Sequence, residues 1–301
     1  MHAPEQMARD ANWRRVLGSR YLTSWLAANQ RSLALTTYQT GKLFQVRRED
    51  MRISVFERTF ICSMGLWASP NDQIFRRNSK DKLWRFGKTL AIWVLHRGYE
   101  ERYVSRAAYT TGDLDIHNLA VKNHSCDVFV ATHFNCPATF SERPELISSL
   151  IPEDRCHLKE LVMWAGRTRH VIVVWQSDVA DGWRDRHKNS GCLIDAASND
   201  IVASGLSIPH SPSWYQDKLW VLNSGTDEFG SIDLEQSRFE PPALSFGTPR
   251  SLAFAGHYAV VTLSWLSSDL TFSEAAQLQI INPNPQILIF QSECYIERCG
   301  G

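Results

Sequence analysis

Histidine recurs just ahead of short apolar strands at comparable points along this chain, and that recurrence constrains the fold more than any other feature. The segments are Asp115-Ile116-His117-Asn118-Leu119-Ala120-Val121, Arg155-Cys156-His157-Leu158 and Ile208-Pro209-His210-Ser211-Pro212-Ser213-Trp214. A fourth, Thr248-Pro249-Arg250-Ser251-Leu252-Ala253-Phe254, carries arginine at the corresponding place. The steps between these four side chains are 40, 53 and 40 residues, the length that a four-stranded propeller blade takes, about 40–50 residues. Each unit continues through a tight turn, such as Gln216-Asp217-Lys218 or Ala255-Gly256-His257, into a second strand. The pattern predicts an all-β, β-propeller-like fold in which these side chains converge on one end of the axis. A β-sandwich is the alternative, but it gives histidine no reason to recur at unit starts.

Upstream, Trp13, Val16, Leu17, Tyr21 and Trp25 follow three- and four-residue steps, which predict an amphipathic helix over 12–29. We therefore divide the chain into an N-terminal helical segment, 1–30, and a β-propeller-like domain, 31–301. The latter opens with a hairpin, 32–38 returning at 42–46 around Thr40-Gly41. The 32 basic side chains equal the 32 acidic ones, so no basic excess exists to hold a phosphate backbone, which argues against a nucleic-acid partner. No apolar run approaches the roughly 20 residues of a membrane helix, and no signal peptide is evident, so no membrane partner is expected. Seven scattered cysteines without a C-x-x-C pair read as reduced thiols of a cytoplasmic protein. No nucleophile-elbow, zinc-protease, Walker or dinucleotide motif occurs.

Several segments resemble, in order, a bacterial family of conserved hypothetical proteins. They are Thr36-Thr37-Tyr38-Gln39-Thr40-Gly41-Lys42-Leu43, Thr110-Thr111-Gly112-Asp113-Leu114-Asp115-Ile116-His117, Pro152-Glu153-Asp154-Arg155-Cys156-His157 and Pro209-His210-Ser211-Pro212. Asp181-Gly182-Trp183-Arg184-Asp185 and the stretch 219–226 extend the match, which runs from about residue 31 to 264. The resemblance implies a β-propeller-like domain of unknown function and supplies no activity. The chain departs from the family between Leu66 and Phe86, where a regular strand-turn-strand is expected, and after Ser264, where only 278–282 resembles a further strand. These departures imply a shortened member whose ring is incomplete or imperfectly closed.

Residues two apart in extended chain share a face, which would align Asp113 and Asp115 with His117, and Glu153 and Arg155 with His157. His117, His157 and His210 from separate blades could then hold a divalent transition metal as cofactor, with Asp115 or Glu153 as catalytic base. The plainer reading is that each histidine caps a strand by bonding backbone of the neighbouring blade. Arg250 suits an anionic ligand, with a salt bridge to Glu153 or Asp154 as its structural counterpart, and Arg155, Asp113 and Trp183 are further ligand-binding candidates. Trp183 lies in a polar loop, 178–188, that reads either as a flap over the opening or as a solvated connection. Two functions follow: a module binding a small ligand, peptide or protein partner at its axial opening, or a metal-dependent lyase or hydrolase.

Overall fold

The computed structural model describes residues 16–18, 21–37, 41–60, 64–68, 74–79, 81–89, 103–122, 126–132, 135–139, 156–177, 179, 181–183, 188–244, 248–266, 272–281 and 294–296. Among these the chain forms six antiparallel sheets. The first contains β2 (Leu33–Thr37), β3 (Lys42–Glu49) and β4 (Arg52–Thr59). The second contains β5 (Leu66–Ala68), β6 (Ile74–Ser79), β7 (Lys82–Lys88) and β8 (Tyr103–Thr110). The third contains β9 (Ile116–Lys122), β10 (Cys126–Ala131) and β11 (Cys136–Thr139). The fourth runs β12 (Leu158–Trp164), β13 (Arg167–Val173), β14 (Gly191–Asp195) and β15 (Ile201–Leu206). The fifth runs β16 (Pro209–Tyr215), β17 (Lys218–Asn223), β18 (Glu228–Asp233) and β19 (Arg238–Leu244). The sixth holds β20 (Thr248–Ala255), β21 (Tyr258–Leu266), β22 (Phe272–Ile281), β23 (Cys294–Ile296) and, at its outer edge, β1 (Val16–Gly18).

Apolar side chains between successive sheets explain why the sheets assemble into a ring. Leu43 and Phe86 join the first to the second, and Leu83 and Leu119 join the second to the third. Val130 and Val171 lie in the next seam, Ile172 and Val221 in the one after, and Leu222 and Val261 between the fifth and sixth. The last seam returns to the start: Val260 of β21 shares a cluster with Leu35, Phe44 and Val46 of the first sheet. Middle strands consequently read as near-continuous apolar runs, because both their faces are covered. Residues 219–223 of β17 are all buried. In outer β15 only Ala203 and Leu206 are buried. Six sheets joined seam to seam around a common centre form a β-propeller.

The N-terminal segment differs from the expectation. A helix, α1, covers only Leu22–Ala28, and Val16–Gly18 is a strand paired with β23 at Val16↔Ile296, Leu17↔Tyr295 and Gly18↔Cys294. The open edge of β23 supplies hydrogen-bonding partners that local helical periodicity does not reveal. Within α1, Leu22, Trp25 and Leu26 lie on one face and fill the seam between the sixth and first sheets. Trp25 meets Tyr258 edge-on at 5.8 Å between ring centroids.

Two further departures read from the sequence are corrected. Between Leu66 and Phe86 the chain does form strand, turn and strand, with β6 and β7 in register from Ile74↔Gly87 to Ser79↔Lys82. After Ser264, β22 spans ten residues rather than the few that the sequence suggests. Among the described residues the sheets differ in strand number, three in the first and third and five in the sixth.

Candidate functional site

The innermost strands β9, β12, β16 and β20 share a local geometry that locates the site. Just before three of them stands a residue with left-handed backbone: Asp115 (φ 48°), His157 (φ 48°) and Ile208 (φ 46°). A buried apolar residue follows, Ile116, Leu158 or Pro209. The next position carries His117, Lys159 or His210, and Arg250 follows Pro249 in the same way. Strand pairing breaks here in every case, between Ile116 and Leu119, Leu158 and Glu160, His210 and Ser213, and Pro249 and Ser251. The break encloses His117, Lys159 and Arg250 in β9, β12 and β20 and directly follows His210 in β16, so four successive innermost strands carry a β-bulge near their start, a device that re-aims a side chain.

The alignment of His157 with His117 and His210 is therefore corrected. His157 occupies the left-handed position of Asp115 and Ile208, and Lys159 holds the place of the two histidines. Sequence spacing cannot detect this two-residue offset, because it shows only when strand pairing fixes the bulge. The face shared by Asp113, Asp115 and His117 also fails as an argument, since β9 begins at Ile116 and Asp115 has φ 48°. Glu153, Asp154 and Arg155 lie outside the described residues.

His117 and His210 are held by the same three-part arrangement. Nδ1 of His117 lies 3.0 Å from the Asp115 carbonyl and 2.9 Å from Thr132 Oγ1. Thr132, just after β10, donates its hydroxyl proton to the Leu158 carbonyl of the next sheet at 2.8 Å. The threonine oxygen can then only accept from the ring, so Nδ1 carries the imidazole proton and Nε2 the lone pair. In the fifth sheet Nδ1 of His210 lies 2.9 Å from the Ile208 carbonyl and 2.8 Å from Ser224 Oγ. Ser224 donates to the Pro249 carbonyl of the sixth sheet. Both rings share one tautomer, and each reaches the following blade only through a hydroxyl, not by the direct bond to its backbone that the capping reading expects.

Nε2 of His210 accepts from two cations, Lys159 Nζ at 3.1 Å and Arg250 Nη1 at 2.9 Å. Burial first, and then the charges of Lys159 and Arg250, hold the His210 imidazole well below its ordinary pKa, so it is neutral. Burial likewise brings the Arg250 guanidinium down to about 10, opposed by the charge of Glu160. Glu160 is buried and accepts from Asn118 Nδ2 at 3.1 Å. Its carboxyl is pushed up to about 7 by burial, against the stabilising hydrogen bonds of Ser211 and the charge of Lys159.

A second contact chain leaves the same region. The His117 and His157 rings meet edge-to-face with centroids 4.8 Å apart, and His157 stacks on Trp183 at 3.8 Å and 20°. The Asp115 carboxylate lies 3.6 Å from His117 Nδ1, and Asp113 is exposed on the preceding bend. The structure thus brings His117, His157 and Trp183 together, and His210 with Arg250. Among the described residues no three His, Cys, Asp or Glu side chains gather closely enough to hold a metal ion.

Sequence reasoning missed Lys159, Glu160 and the hydroxyl ties Thr132 and Ser224. The signal was present in Leu158-Lys159-Glu160-Leu161-Val162, where two charged residues interrupt an apolar strand.

A family model described as a domain of unknown function (DUF4915) matches residues 20–284. The chain belongs to the DUF4915 family. The match reaches from just before α1 to just past β22 of the sixth sheet. No curated protein matches the chain. Among solved structures, a chain of the nidogen/laminin complex is similar at 12% identity and a TM-score of 0.52, covering 83% of this chain and 89% of that one. A catalytically inactive virginiamycin B lyase from Staphylococcus aureus with quinupristin gives 11% identity and 0.46, over 88% and 98%. A functionally unknown protein from Desulfotomaculum acetoxidans gives 12% and 0.47, over 86% and 78%. At such identities the likeness concerns the fold alone. No helix among the described residues is long and apolar enough to cross a membrane.

Proposed function

We propose that this chain is a ligand-binding propeller whose small-molecule ligand enters at the axial end where the inner strands begin. The observation that carries this reading is the repeated register break at the start of four inner strands, beside His117, Lys159, His210 and Arg250, the last three of which meet at Nε2 of His210. A purely structural ring needs no such repetition, since the apolar seams already hold the sheets together. His157 and Trp183 provide an aromatic wall beside the polar cluster, the mix of surfaces typical of ligand sites.

The metal-dependent lyase or hydrolase is a second reading, favoured by the tautomers of His117 and His210, which put both Nε2 lone pairs on the side away from the backbone ties. It is the weaker of the two. Two cations already face Nε2 of His210, and a divalent ion there would meet strong repulsion.

Screening a library of small metabolites by thermal shift and by NMR of the histidine rings tests the proposal. Binding compounds should perturb the His117, His157 and His210 signals, and Trp183→Ala should weaken them at least fivefold. Compounds that stabilise the protein but leave those rings and the Trp183→Ala variant unaffected would remove the axial site. Stoichiometric binding of added Mn²⁺ or Zn²⁺, abolished by His117→Ala, would move the balance to the metal reading.

A further inference from the structure

The inner hairpins that begin at the axial end turn back at the opposite end, and two of them shape a cleft there. β12 closes on β13 through Ala165-Gly166, and β16 closes on β17 through Gln216-Asp217. All four turn residues have left-handed backbone, with φ of 51°, 73°, 49° and 59°, the conformation that a two-residue hairpin turn favours. Trp164, Trp214, Tyr215, Gln216 and Asp217 line a cleft of about 410 Å³, within the roughly 300–1,000 Å³ range of small-ligand sites.

Trp164 is 54% exposed, the only exposed tryptophan among the described residues, although an indole is among the largest apolar surfaces a fold can bury. Trp214 of the next sheet backs it, with centroids 4.8 Å apart and planes tilted by 34°. Trp214 in turn packs on the apolar seam between the fourth and fifth sheets, so the outer indole is a supported platform. Tyr215 is fixed as well: it stacks on Phe254 at 4.3 Å and donates its hydroxyl to the Gly256 carbonyl at 2.6 Å. The polar groups beside the platform are open. Trp214 Nε1 has no hydrogen-bond partner among the described residues, and neither have the side chains of Gln216 and Asp217. An aromatic face flanked by unfilled donors and acceptors complements a sugar ring, whose C–H bonds meet the electron-rich π face while its hydroxyls take the hydrogen bonds.

We propose that this cleft binds a neutral pyranoside, with one ring stacked on Trp164 and its hydroxyls held by Gln216 and Asp217. The Gln216 amide both donates and accepts, and the Asp217 carboxylate accepts from adjacent hydroxyls. That carboxylate also disfavours acidic sugars. A quaternary ammonium suits aromatic rings and a carboxylate too, but it is best enclosed by several ring faces. Here Trp214 is engaged by Trp164 and His170, and Tyr215 by Phe254. One open platform remains, which favours a flat stack over a cage. The cleft lies at the far ends of β12 and β16 from Lys159 and His210, so the proposal stands apart from the axial ligand.

The test is titration of the full chain with cellobiose, maltose, lactose and diacetylchitobiose, and separately with tetramethylammonium chloride, followed by calorimetry and by NMR of the indole N–H groups. Saturable binding of at least one disaccharide is expected, with shifts of the Trp164 and Trp214 signals. Trp164→Ala should weaken it about tenfold through loss of the stack. Asp217→Asn keeps a residue that tolerates left-handed backbone and should weaken it roughly threefold through loss of the charged acceptor. Unchanged melting temperatures would show that both variants are folded, as expected for exposed positions. No saturable binding of any of the four sugars overturns the proposal, as does binding that is equal in parent and Trp164→Ala. Tighter binding of tetramethylammonium than of every sugar, lost in Trp164→Ala, overturns it in favour of a cationic ligand.

Discussion

Lys159 donates from Nζ to Nε2 of His210 across the boundary between two sheets, at 3.1 Å. An ammonium so close to an imidazole resists its protonation, and it acts together with burial and Arg250. Lys159→Met removes that charge without opening space. The His210 pKa should rise but remain below 6.5, because burial is the first cause of its depression. Titration of the ring signals by NMR checks this, and an unmoved His210 would show that the contact carries no electrostatic weight.

Glu160 gives a pH dependence of opposite sign to the usual carboxylate. Its carboxyl rises from 4.5 to about 7 in the folded protein. Between those values the folded state holds a proton that the unfolded state has lost, so stability falls as pH rises through that window. The loss amounts to at most roughly 3 kcal/mol above pH 7. His210, held neutral, works the other way: its contribution is lost as pH falls below 6.5. Lys159, Arg250, Asn118 and Ser211 all face Glu160 and set the final slope. Relative to the parent, Glu160→Gln should be more stable at pH 8 than at pH 5, by denaturant midpoint. A difference independent of pH refutes the assignment.

The hydroxyl ties predict a matched pair of losses. Ser224→Ala removes the bridge between His210 and the Pro249 carbonyl, and Thr132→Val the bridge between His117 and the Leu158 carbonyl. Each leaves a buried acceptor without its hydroxyl, for about 1–3 kcal/mol. The sites join different pairs of sheets, so the double variant should lose nearly the sum. Urea unfolding of the three proteins measures it.

Removal of residues 1–18 exposes the outer edge of β23, which β1 otherwise covers. The shortened chain should unfold at a temperature several degrees lower and associate at concentrations where the parent stays monomeric. Scanning calorimetry and light scattering would settle both points.

Much of the architecture was legible because hairpins and unit length are local properties. The strand-turn-strand of 209–223 and that of 248–264 fall where their apolar runs and Gln216-Asp217 or Gly256-His257 turns place them. The site was legible only in part. His117, His210 and Arg250 do occupy equivalent positions, yet Lys159 was hidden behind His157 because a bulge shifts register without altering composition. Val16–Gly18 was read as helix because its partner strand lies nearly a whole chain length away. Pairings of that kind leave no trace in local periodicity.

The union of β1 with β23 also dictates an order of events. Five sheets can form as the polypeptide emerges from the ribosome, each from residues made within a short interval. The sixth cannot be finished until Val16–Gly18 meets Cys294–Ile296, so its completion is a clasp between distant parts of the described chain. The seam filled by Leu22, Trp25 and Leu26 does not wait for that clasp, because those side chains pack on the first sheet and on Val260 and Tyr258 of β21.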